Sequence, residues 1–330
     1  MKRSPTVVDV ARMAHVGAST VSRFLRGVKV KPEIAERVAK AVKALGYHPD
    51  ATARALRVGR TRTIGVVLPK VSNAFFSESV QVIEEEARLR QCAVILLTHQ
   101  DRIAQQTEHL GTLRRYRVDG VIIAATPGTK LENISSSLPG VPIVAFDSFF
   151  SSEVDSVLLR NRDAGRMATE HLVRHGYTNV ACVTGKPQVY SFHERIAGYK
   201  DALEAHRLKP HLLTASDYEQ LRFLLAATMR SKSRPTALLS LSDFATHTIL
   251  TTFSELGLRP ADGPPMIGFD DFGFAALMDP PLTVMRQPIE KMVRYAMHTL
   301  FRRIDGDLEG IGQQIMLPGD LICRRSCGCL

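Results

Sequence analysis

Two groups of side chains in the sequence are of the kind that bind soft metal ions. Cys323, Cys327 and Cys329 lie close together in the sequence, and His171 and His175 are one helical turn apart. Structural zinc sites usually contain a C-x2-C pair, and no second His or Cys pair stands near these cysteines in sequence. The histidines lie at a predicted helix end and lack the acid of an H-E-x-x-H motif. We therefore expect exposed histidines, free thiols and no metal site.

Catalytic motifs are absent from the sequence. There is no G-x-x-x-x-G-K-[ST] phosphate loop and no G-x-G-x-x-G dinucleotide turn. There is also no G-x-S-x-G nucleophile motif. We expect a protein that is not an enzyme and that needs no cofactor.

The basic residues are concentrated at one end of the sequence. Residues 1–62 contain 14 lysines and arginines but only four acidic residues, and the rest of the chain carries 29 of each kind. The whole net charge of +10 therefore belongs to the first 62 residues. A basic segment beside an uncharged body is typical of proteins that bind the phosphate backbone of nucleic acids.

The basic segment has the pattern of three short helices. Thr6-x-x-Asp9 is typical of a helix start, residues 15–17 interrupt the pattern, and further helices are predicted over residues 18–25 and 32–45. Two short helices joined by a tight turn form a helix-turn-helix, whose second helix enters the major groove. The spacing alone fits a simple helical bundle equally well.

The remaining sequence alternates short apolar runs with amphipathic stretches, a pattern that predicts parallel sheets with helices on both faces. In such folds ligands bind beyond the carboxyl ends of the strands. Predicted strands are 64–68, 93–97, 120–124, 142–146, 179–183, 237–241 and 266–269, and predicted helices are 77–89, 105–114, 164–175, 195–205 and 244–256.

The composition also indicates in which cellular compartment the protein resides. No apolar stretch approaches the ~18 residues that a membrane helix needs, and no apolar run follows the basic start as it would in a secretory signal. Five cysteines suit a reducing compartment, where they stay mostly as free thiols. We expect a cytoplasmic protein with no membrane partner.

Longer stretches of the sequence resemble the lactose/galactose repressor family. The segments TVVDVARMAHVGASTVSRFLRG, V-x-P-E and ALGYHPDATARALRVGRTRTIGVVLP are similar to its amino-terminal signature, and the likeness continues along nearly the whole chain. It implies a small all-α helix-turn-helix head and an α/β body like the periplasmic binding proteins, with two doubly wound parallel-sheet lobes. The implied divisions are a head (1–48), a hinge helix and linker (49–61) and an effector-binding and dimerisation domain (62–330), with lobe one at 62–160 and about 290–305 and lobe two at 161–288 and the tail.

The resemblance also implies roles for residues of the head. Ala18, Ser19 and Arg23 match base-contacting positions, and Arg23 would donate to guanine O6 and N7. The implied phosphate contacts, which set register without reading sequence, are Thr6, Thr20 and Ser22. The chain departs from the family pattern at two positions, with Gly17 where a serine often caps the recognition helix and Lys31 where a serine often precedes helix three.

Residues 49–56 resemble the hinge helix of the family. So short a helix is unstable alone in water, so we expect it to form only when two copies meet on DNA. Arg54 matches a DNA-binding position, and Leu56 matches a leucine that wedges into the minor groove at a central pyrimidine–purine step. Without the family resemblance, an apolar linker residue is the favoured interpretation of Leu56.

Six residues match effector-binding positions of the family. They are Phe75, Phe76, Asp147, Arg160, Arg195 and Asp243. Arg195 is predicted to begin a helix and to bind ligand oxygens with its planar fork of donors. The alternatives are a surface ion pair for Arg195, helix caps for the aspartates and core packing for the phenylalanines.

Arg160 stands where the family usually has an acidic residue. If it faces the cleft, the ligand is an anion such as a sugar acid, as in regulators of the gluconate type. The alternative is that Arg160 points outward and pairs with Asp163.

The resemblance implies a homodimeric repressor that binds a near-palindromic operator on double-stranded DNA. A sugar or sugar acid in the cleft would change operator affinity through the hinge. We expect a dimer because no leucine heptads follow the body. The alternatives are a solute-binding protein, which needs an export signal, and a sugar-modifying enzyme, which needs a catalytic motif.

Overall fold

A computed structural model describes residues 5–25, 27–47 and 59–329. The chain forms two compact units, Met1–Arg62 and Thr63–Leu330, which are called here the head and the body. The predicted hinge residues Arg54 and Leu56 lie outside the described residues. No helix within the described ranges is both long and apolar enough to cross a membrane.

The head contains the three predicted helices, α1 (Val7–Met13), α2 (Ala18–Leu25) and α3 (Pro32–Leu45). A capping box begins α1, since the Thr6 hydroxyl accepts from the Asp9 amide and the Asp9 carboxylate accepts from the Thr6 amide. Such a box satisfies backbone donors that the first helical turn leaves free. The predicted helix start is confirmed.

The helices of the head pack around one small core. Val10, Val21 and Val38 contribute one buried side chain from each helix. The guanidinium of Arg37 on α3 donates to the carbonyl oxygens of Ala14 and His15, at the end of α1. Because these carbonyls have no helical partner, Arg37 fixes the turn that leads into α2.

The first lobe of the body is a six-stranded sheet of order β11-β5-β4-β3-β1-β2 in which all neighbours are parallel. Helices α4 and α11 cover one face and α5 and α6 the other, so both faces are buried. The elements are β1 (Thr63–Leu68), α4 (Ala74–Leu89), β2 (Ala93–Thr98), α5 (Ile103–Arg115), β3 (Gly120–Ile123), α6 (Leu131–Ser137), β4 (Ile143–Phe146), β5 (Asp155–Leu159), α11 (Ile289–Asp305) and β11 (Gln314–Leu317).

The second lobe has the same design, with strand order β12-β10-β9-β8-β6-β7. Only the edge strand β12 is antiparallel to its neighbour. Helices α7 and α8 cover one face, and α9 and α10 the other. The elements are α7 (Asn161–Arg174), β6 (Val180–Thr184), α8 (Tyr190–Ala205), β7 (His211–Thr214), α9 (Tyr218–Arg230), β8 (Ala237–Ser240), α10 (Asp243–Glu255), β9 (Met266–Phe269), β10 (Thr283–Arg286) and β12 (Asp320–Ile322).

The chain passes between the lobes three times, after β5, after β10 and after β11. The sequence prediction placed the whole tail in the second lobe, and this is wrong for β11, which extends the first sheet by pairing with β5. The two tail strands are only four and three residues long, and no residue of either strand is fully buried. Their pattern is therefore too weak to assign them to a sheet.

Helices α7 and α8 approach each other unusually closely. A Cβ atom added at Gly165 would overlap the backbone of Arg195, and one added at Gly198 would overlap the backbone of Arg162. Glycine is required wherever two backbones approach this closely. This contact fixes the position of Arg195 on α8 against the first turns of α7.

Candidate functional site

The predicted recognition helix α2 presents an exposed polar surface. Ala18, Ser19 and Arg23 are exposed, whereas Val21 is fully buried in the core of the head. Thr20 and Ser22 are half-buried beside them. The three predicted base-contacting residues thus lie on the side of α2 that the core leaves free.

Gly17 and Thr6 occupy the starts of their helices. The Gly17 carbonyl accepts from the amides of Thr20 and Val21, which makes Gly17 the cap of α2. The Thr6 hydroxyl is 2.7 Å from a carboxylate oxygen of Asp9. A phosphate contact by Thr6 would therefore share a group already used in the capping box.

A cavity of about 290 Å³ lies in the body where strand ends of the two lobes meet. Its size is near the lower end of the roughly 300–1,000 Å³ typical of small-molecule sites. Four of the six predicted effector residues line it, and they come from both lobes, namely Phe75, Phe76, Asp147 and Arg195.

Arg195 lies at the centre of this cleft and is only 2% exposed. Its Nε donates to Asn161 Oδ1 over 2.7 Å, and its Nη1 donates to the Leu241 carbonyl over 2.8 Å. The guanidinium stacks on the ring of Phe269, 3.7 Å from the ring centroid. Arg195 lies inside α8 rather than at its start, because the helix begins at Tyr190.

Two aspartates from different lobes accompany Arg195, of which Asp270 is buried and Asp147 has a side chain that is 13% exposed. Asp147 follows β4 and Asp270 follows β9, and both have positive φ angles, 49° and 68°. The backbone amide of Asp147 donates a hydrogen bond to the Val157 carbonyl, and that of Asp270 donates one to the Met285 carbonyl, each in the direction of the neighbouring strand. Left-handed backbone is costly for residues with a side chain, least so for Asp and Asn, and it concentrates at functional sites.

The pKa values of both carboxyl groups depend on Arg195, and Asp270 also raises that of Asp147. Burial raises the pKa of Asp147 to about 7, with Arg195 opposing the rise. Burial likewise raises the pKa of Asp270 to about 6, again opposed by Arg195 and also by the hydrogen bond from Gln287. Burial lowers the pKa of Arg195, and the two aspartates oppose that shift. The three groups form one largely buried charge system.

Buried oxygen atoms in the cleft have unused hydrogen-bonding capacity. Among the described residues, Asp147 Oδ1 and Gln287 Oε1 are buried without a hydrogen-bond donor. Arg195 Nη2 lies 4.0 Å from Asp147 Oδ1, which is too long for a hydrogen bond. Buried acceptors without donors are costly, and both residues line the cavity. The arrangement suits a ligand that donates hydroxyl groups.

A buried polar network holds residues 124–129, a loop that forms one wall of the cavity. His99 Nε2 lies 2.9 Å from the Ala124 carbonyl, and its Nδ1 lies 3.0 Å from the Thr126 hydroxyl. Gln106 accepts from the Thr126 amide and donates to the Thr129 hydroxyl. Burial lowers the pKa of His99, which favours its neutral form. The wall is preformed.

Phe75 and Phe76, which follow β1, fit both interpretations given for them, packing in the core and lining the ligand site. Phe75 is stacked on Phe146 at 5.6 Å and contacts Phe76 edge to face at 5.0 Å. Both belong to the core of the first lobe and both line the cavity. They are core residues whose other side forms the cavity wall.

Arg160 and Asp243 do not line the cavity. Arg160 is exposed beside the first crossover, where its amide donates to the Leu317 carbonyl. The exposed position of Arg160 agrees with the alternative that it points outward, but Asp163 pairs with Arg166 instead. The guanidinium of Arg160 therefore contributes no positive charge to the lining of the cavity.

Asp243 lies at the edge of the cleft. Its neighbours Ser242 and Phe244 line the cavity, and Ser242, rather than Asp243, caps α10. Asp243 is half-buried, and this burial raises its pKa, while Lys70 and His247 oppose the rise.

The sequence prediction missed Asp270 and Gln287. A signal for Asp270 was present, because it directly follows a predicted strand in the same way as Asp147. Gln287 follows β10, which was not predicted, so its position at the second crossover had no signal in the sequence. Its Nε2 donates to Asp270 over 2.7 Å.

Comparison with known proteins places both parts of the chain. Residues 61–312 match the model of periplasmic binding proteins and the sugar binding domain of the LacI family. Residues 6–50 match the model of bacterial regulatory proteins of the lacI family. The ribose operon repressor of Haemophilus influenzae is 30% identical over 319 residues, which cover 95% of this chain and 96% of that protein.

Solved structures of similar fold support this comparison. A LacI family transcriptional regulator from Enterococcus faecium with bound ribose is 26% identical, has a TM-score of 0.71, and covers 80% of this chain and 98% of its own. The lac repressor dimer bound to operator and the anti-inducer ONPF has a TM-score of 0.85 at 24% identity and covers 98% of this chain and 99% of its own. The second likeness shows the fold.

A helix-turn-helix head and a two-lobed body with a ligand cleft define a DNA-binding transcription regulator controlled by a small molecule. The chain belongs to the LacI family. The fold and family predicted from the sequence motifs are confirmed.

Proposed function

We propose that this chain is a cytoplasmic repressor, and not an enzyme, that acts as a homodimer on a near-palindromic operator and binds a neutral monosaccharide of ribose size. The relative from H. influenzae is named a ribose operon repressor. The E. faecium regulator contains ribose. The observation that carries the proposal is that the buried Arg195 and Asp270 and the largely buried Asp147 line one small cavity.

A neutral ligand follows from the charges of the cleft. The charged side chains that line the cavity are three cations and three acids, namely Lys70, Lys186, Arg195, Asp101, Asp147 and Asp270. Arg195, the buried cation, lies beside two largely buried acids. An additional anionic group would meet those acids without a free buried cation to balance it. Since Arg160 is outside the cavity, the cleft favours a sugar over a sugar acid.

The polar groups match the hydroxyl pattern of a small sugar. The guanidinium of Arg195 donates, while Asp147 Oδ1 and Gln287 Oε1 accept from ligand hydroxyls. Phe76 and Phe244 line the same cavity and offer apolar contacts for the C–H groups of a sugar. Buried groups that require hydroxyl donors reject analogues that lack them.

Control of DNA binding follows from linkage. If ligand binding changes the operator affinity of the dimer, then operator binding changes ligand affinity by the same factor. In this proposal Ala18, Ser19 and Arg23 contact bases. The proposed contacts to the phosphates and the minor groove are Thr6, Thr20, Ser22, Arg54 and Leu56.

Calorimetry with the full-length protein tests the ligand class. We expect ribose to bind more tightly than gluconate, and we expect Arg195→Met to abolish ribose binding while Arg160→Met leaves it unchanged. Tighter binding of gluconate, or a loss of binding in Arg160→Met, would contradict the proposed neutral ligand.

Selection of DNA from a random pool tests the regulator. We expect a palindromic site whose affinity for the full-length protein changes when ribose is added, whereas a chain that starts at Thr63 does not bind it. Equal binding by the shortened chain would show that residues 1–62 are not the DNA-binding part.

A further inference from the structure

Four side chains far apart in the sequence meet at one point of the second lobe. His171 lies in the last turn of α7 and His175 directly follows that helix, while Cys327 and Cys329 lie beyond β12. Their four ligand atoms all lie within 4.8 Å of one another. The cluster is separate from the cleft, since none of its members lines the cavity.

Four of the six distances between ligand atoms in the cluster are close to those of a tetrahedral metal site. His171 Nε2 lies 3.2 Å from Cys327 Sγ, and Cys329 Sγ lies 3.5 Å from His171 Nε2 and 3.3 Å from His175 Nε2. The two sulfur atoms are 3.4 Å apart. Zn–S and Zn–N bonds of about 2.3 and 2.0–2.1 Å in a tetrahedron place neighbouring ligand atoms about 3.3–3.8 Å apart. Small movements of the side chains would complete the tetrahedron.

The surroundings support bound thiolates. Cys327 is fully buried, and the Thr283 hydroxyl lies 3.1 Å from its sulfur. A hydroxyl donor to a ligand sulfur is the type of outer contact that orients and tunes metal ligands. His175 is exposed and Cys329 is half-buried, so an ion can enter from solvent.

We propose that His171, His175, Cys327 and Cys329 bind one Zn²⁺ ion per chain in a closed tetrahedral site. Two thiolates and two imidazoles are a ligand set that favours zinc. Because the protein supplies all four ligands, the site is structural and has no open position for a substrate. The expectation of no metal site is thereby replaced, since it judged the cysteines and histidines by their separation in sequence.

The charge and proton balance is simple. Each cysteine releases one proton to solvent, and the two thiolates neutralise the two positive charges of the ion, while the imidazoles stay neutral. No oxidant or reductant is needed. A neutral complex suits a site whose sulfur ligand Cys327 is buried.

A disulfide between Cys327 and Cys329 is the competing arrangement. Its bond length would be about 2.05 Å, whereas the sulfur atoms are 3.4 Å apart. A disulfide also gives no role to the two histidine nitrogens that contact these sulfurs. Zinc explains all four groups.

The site would fasten the residues after β12 to the end of α7. The same segment is already held by Ser326, whose hydroxyl donates to the Met266 carbonyl and accepts from the Thr283 amide. A metal bond between residues about 150 positions apart excludes many unfolded conformations. Zinc should therefore stabilise the second lobe.

Metal analysis of full-length protein without an affinity tag, purified under reducing conditions, tests the site. We expect about one zinc per chain after dialysis, as for a closed structural site. The variants Cys327→Ser/Cys329→Ser and His171→Ala/His175→Ala should lose it, whereas the matched controls Cys92→Ser and His206→Ala should keep it. Co²⁺ in place of Zn²⁺ should give the visible absorption of a tetrahedral thiolate site in the controls and not in the two ligand variants.

Single substitutions keep the test valid if the double variants fail to fold. His175→Ala changes an exposed side chain and should lower zinc affinity while circular dichroism and ribose binding stay unchanged. Thr283→Val removes the hydroxyl beside Cys327 and should weaken zinc binding by about 10–100-fold. A strong chelator should lower the Tm of the wild type but not that of Cys327→Ser/Cys329→Ser.

Three results would overturn the proposal. They are zinc retained equally by the wild type and the ligand variants, a metal other than zinc held by these residues in the protein as purified, and a wild type that takes up neither Zn²⁺ nor Co²⁺ when these ions are added. Alkylation followed by intact mass measurement detects the disulfide, because then only three of the five cysteines would react.

Discussion

The head and the cleft differ in the exposure of the side chains that are expected to bind their ligands. In the head, Ser19 and Arg23 are exposed on a helix that is held by the buried Val21. In the cleft, Arg195 and Asp270 are buried, and the largely buried Asp147 comes from the other lobe. An exposed charge costs the fold little, whereas a buried charge depends on its partners. Substitutions in the head should therefore change binding alone, and substitutions in the cleft should change binding and stability together.

Arg195→Met should have the largest effect. It leaves Asp147 and Asp270 without their cation and removes the donors to Asn161 and Leu241. Loss of one partner of a buried charged set costs about 3–5 kcal/mol, so urea unfolding should show a decrease of this size. The exposed Arg166→Met should change the free energy of unfolding by less than about 1 kcal/mol. Equal effects for the two variants would refute the difference between cleft and surface.

Asp147→Asn should change the pH dependence of stability. The pKa of Asp147 is raised to about 7 by burial, so the folded state holds its proton more tightly than the unfolded state, whose pKa is about 3.9. This contribution is fully present below about pH 4 and is lost as the pH rises through about 7, by at most about 1.4 kcal/mol per pH unit. Asparagine tolerates the positive φ of this position.

The variant should therefore be more stable than the wild type at pH 8, and the two should converge towards pH 4. Urea unfolding across this range, with the exposed Asp163→Asn as control, measures the difference. A constant difference between wild type and Asp147→Asn would mean that the Asp147 carboxyl does not titrate in this range. Ribose affinity should fall in Asp147→Asn despite the gain in stability.

Arg23→Ala should separate binding from stability in the head. Arg23 is exposed and, as a bidentate reader of guanine, should be worth about 1–3 kcal/mol in each half-site. Fluorescence anisotropy should show weaker and less selective operator binding, with no change in unfolding. Lys40→Ala, on the exposed side of α3, is the matched control. A similar loss of selectivity in both variants would mean that Arg23 contributes only charge.

Gly17→Ser should have the smallest effect. Its new Cβ would meet Ser19 Oγ at an ordinary 3.5 Å, and its hydroxyl can cap α2. Serine exceeds glycine as a cap by only a few tenths of a kcal/mol. Hydrogen exchange of the α2 amides in the full-length protein should slow slightly. Faster exchange would show that the glycine is required by the backbone.

The sequence predicts local features well. The bounds of α2 and α3 agree with the prediction to the residue, because capping residues and apolar periodicity act over a few positions. The seven predicted strands are all present, with ends shifted by no more than one residue. Strands β5, β7 and β10 were missed because polar residues at their ends leave apolar runs of only three, two and two residues.

Features that depend on distant parts of the chain could not be predicted in the same way. Arg160 stands at an effector-binding position of the family in sequence, yet the crossover after β5 leaves it exposed. Cys327 and His171 lie about 150 residues apart, and only the packing of the residues after β12 against α7 brings them together. Sequence separation is therefore a poor guide to the chemistry of a two-lobed protein.

The division of residues 314–322 between the two sheets has a consequence for synthesis. β11 completes an edge of the first sheet and β12 an edge of the second. The ribosome makes both strands only after every other element of the two lobes. While translation proceeds at about 5–20 residues per second, a helix-turn-helix can already fold, but the sheet of each lobe is complete only after its final strand. The nascent regulator therefore acquires its DNA-reading part well before its sensor.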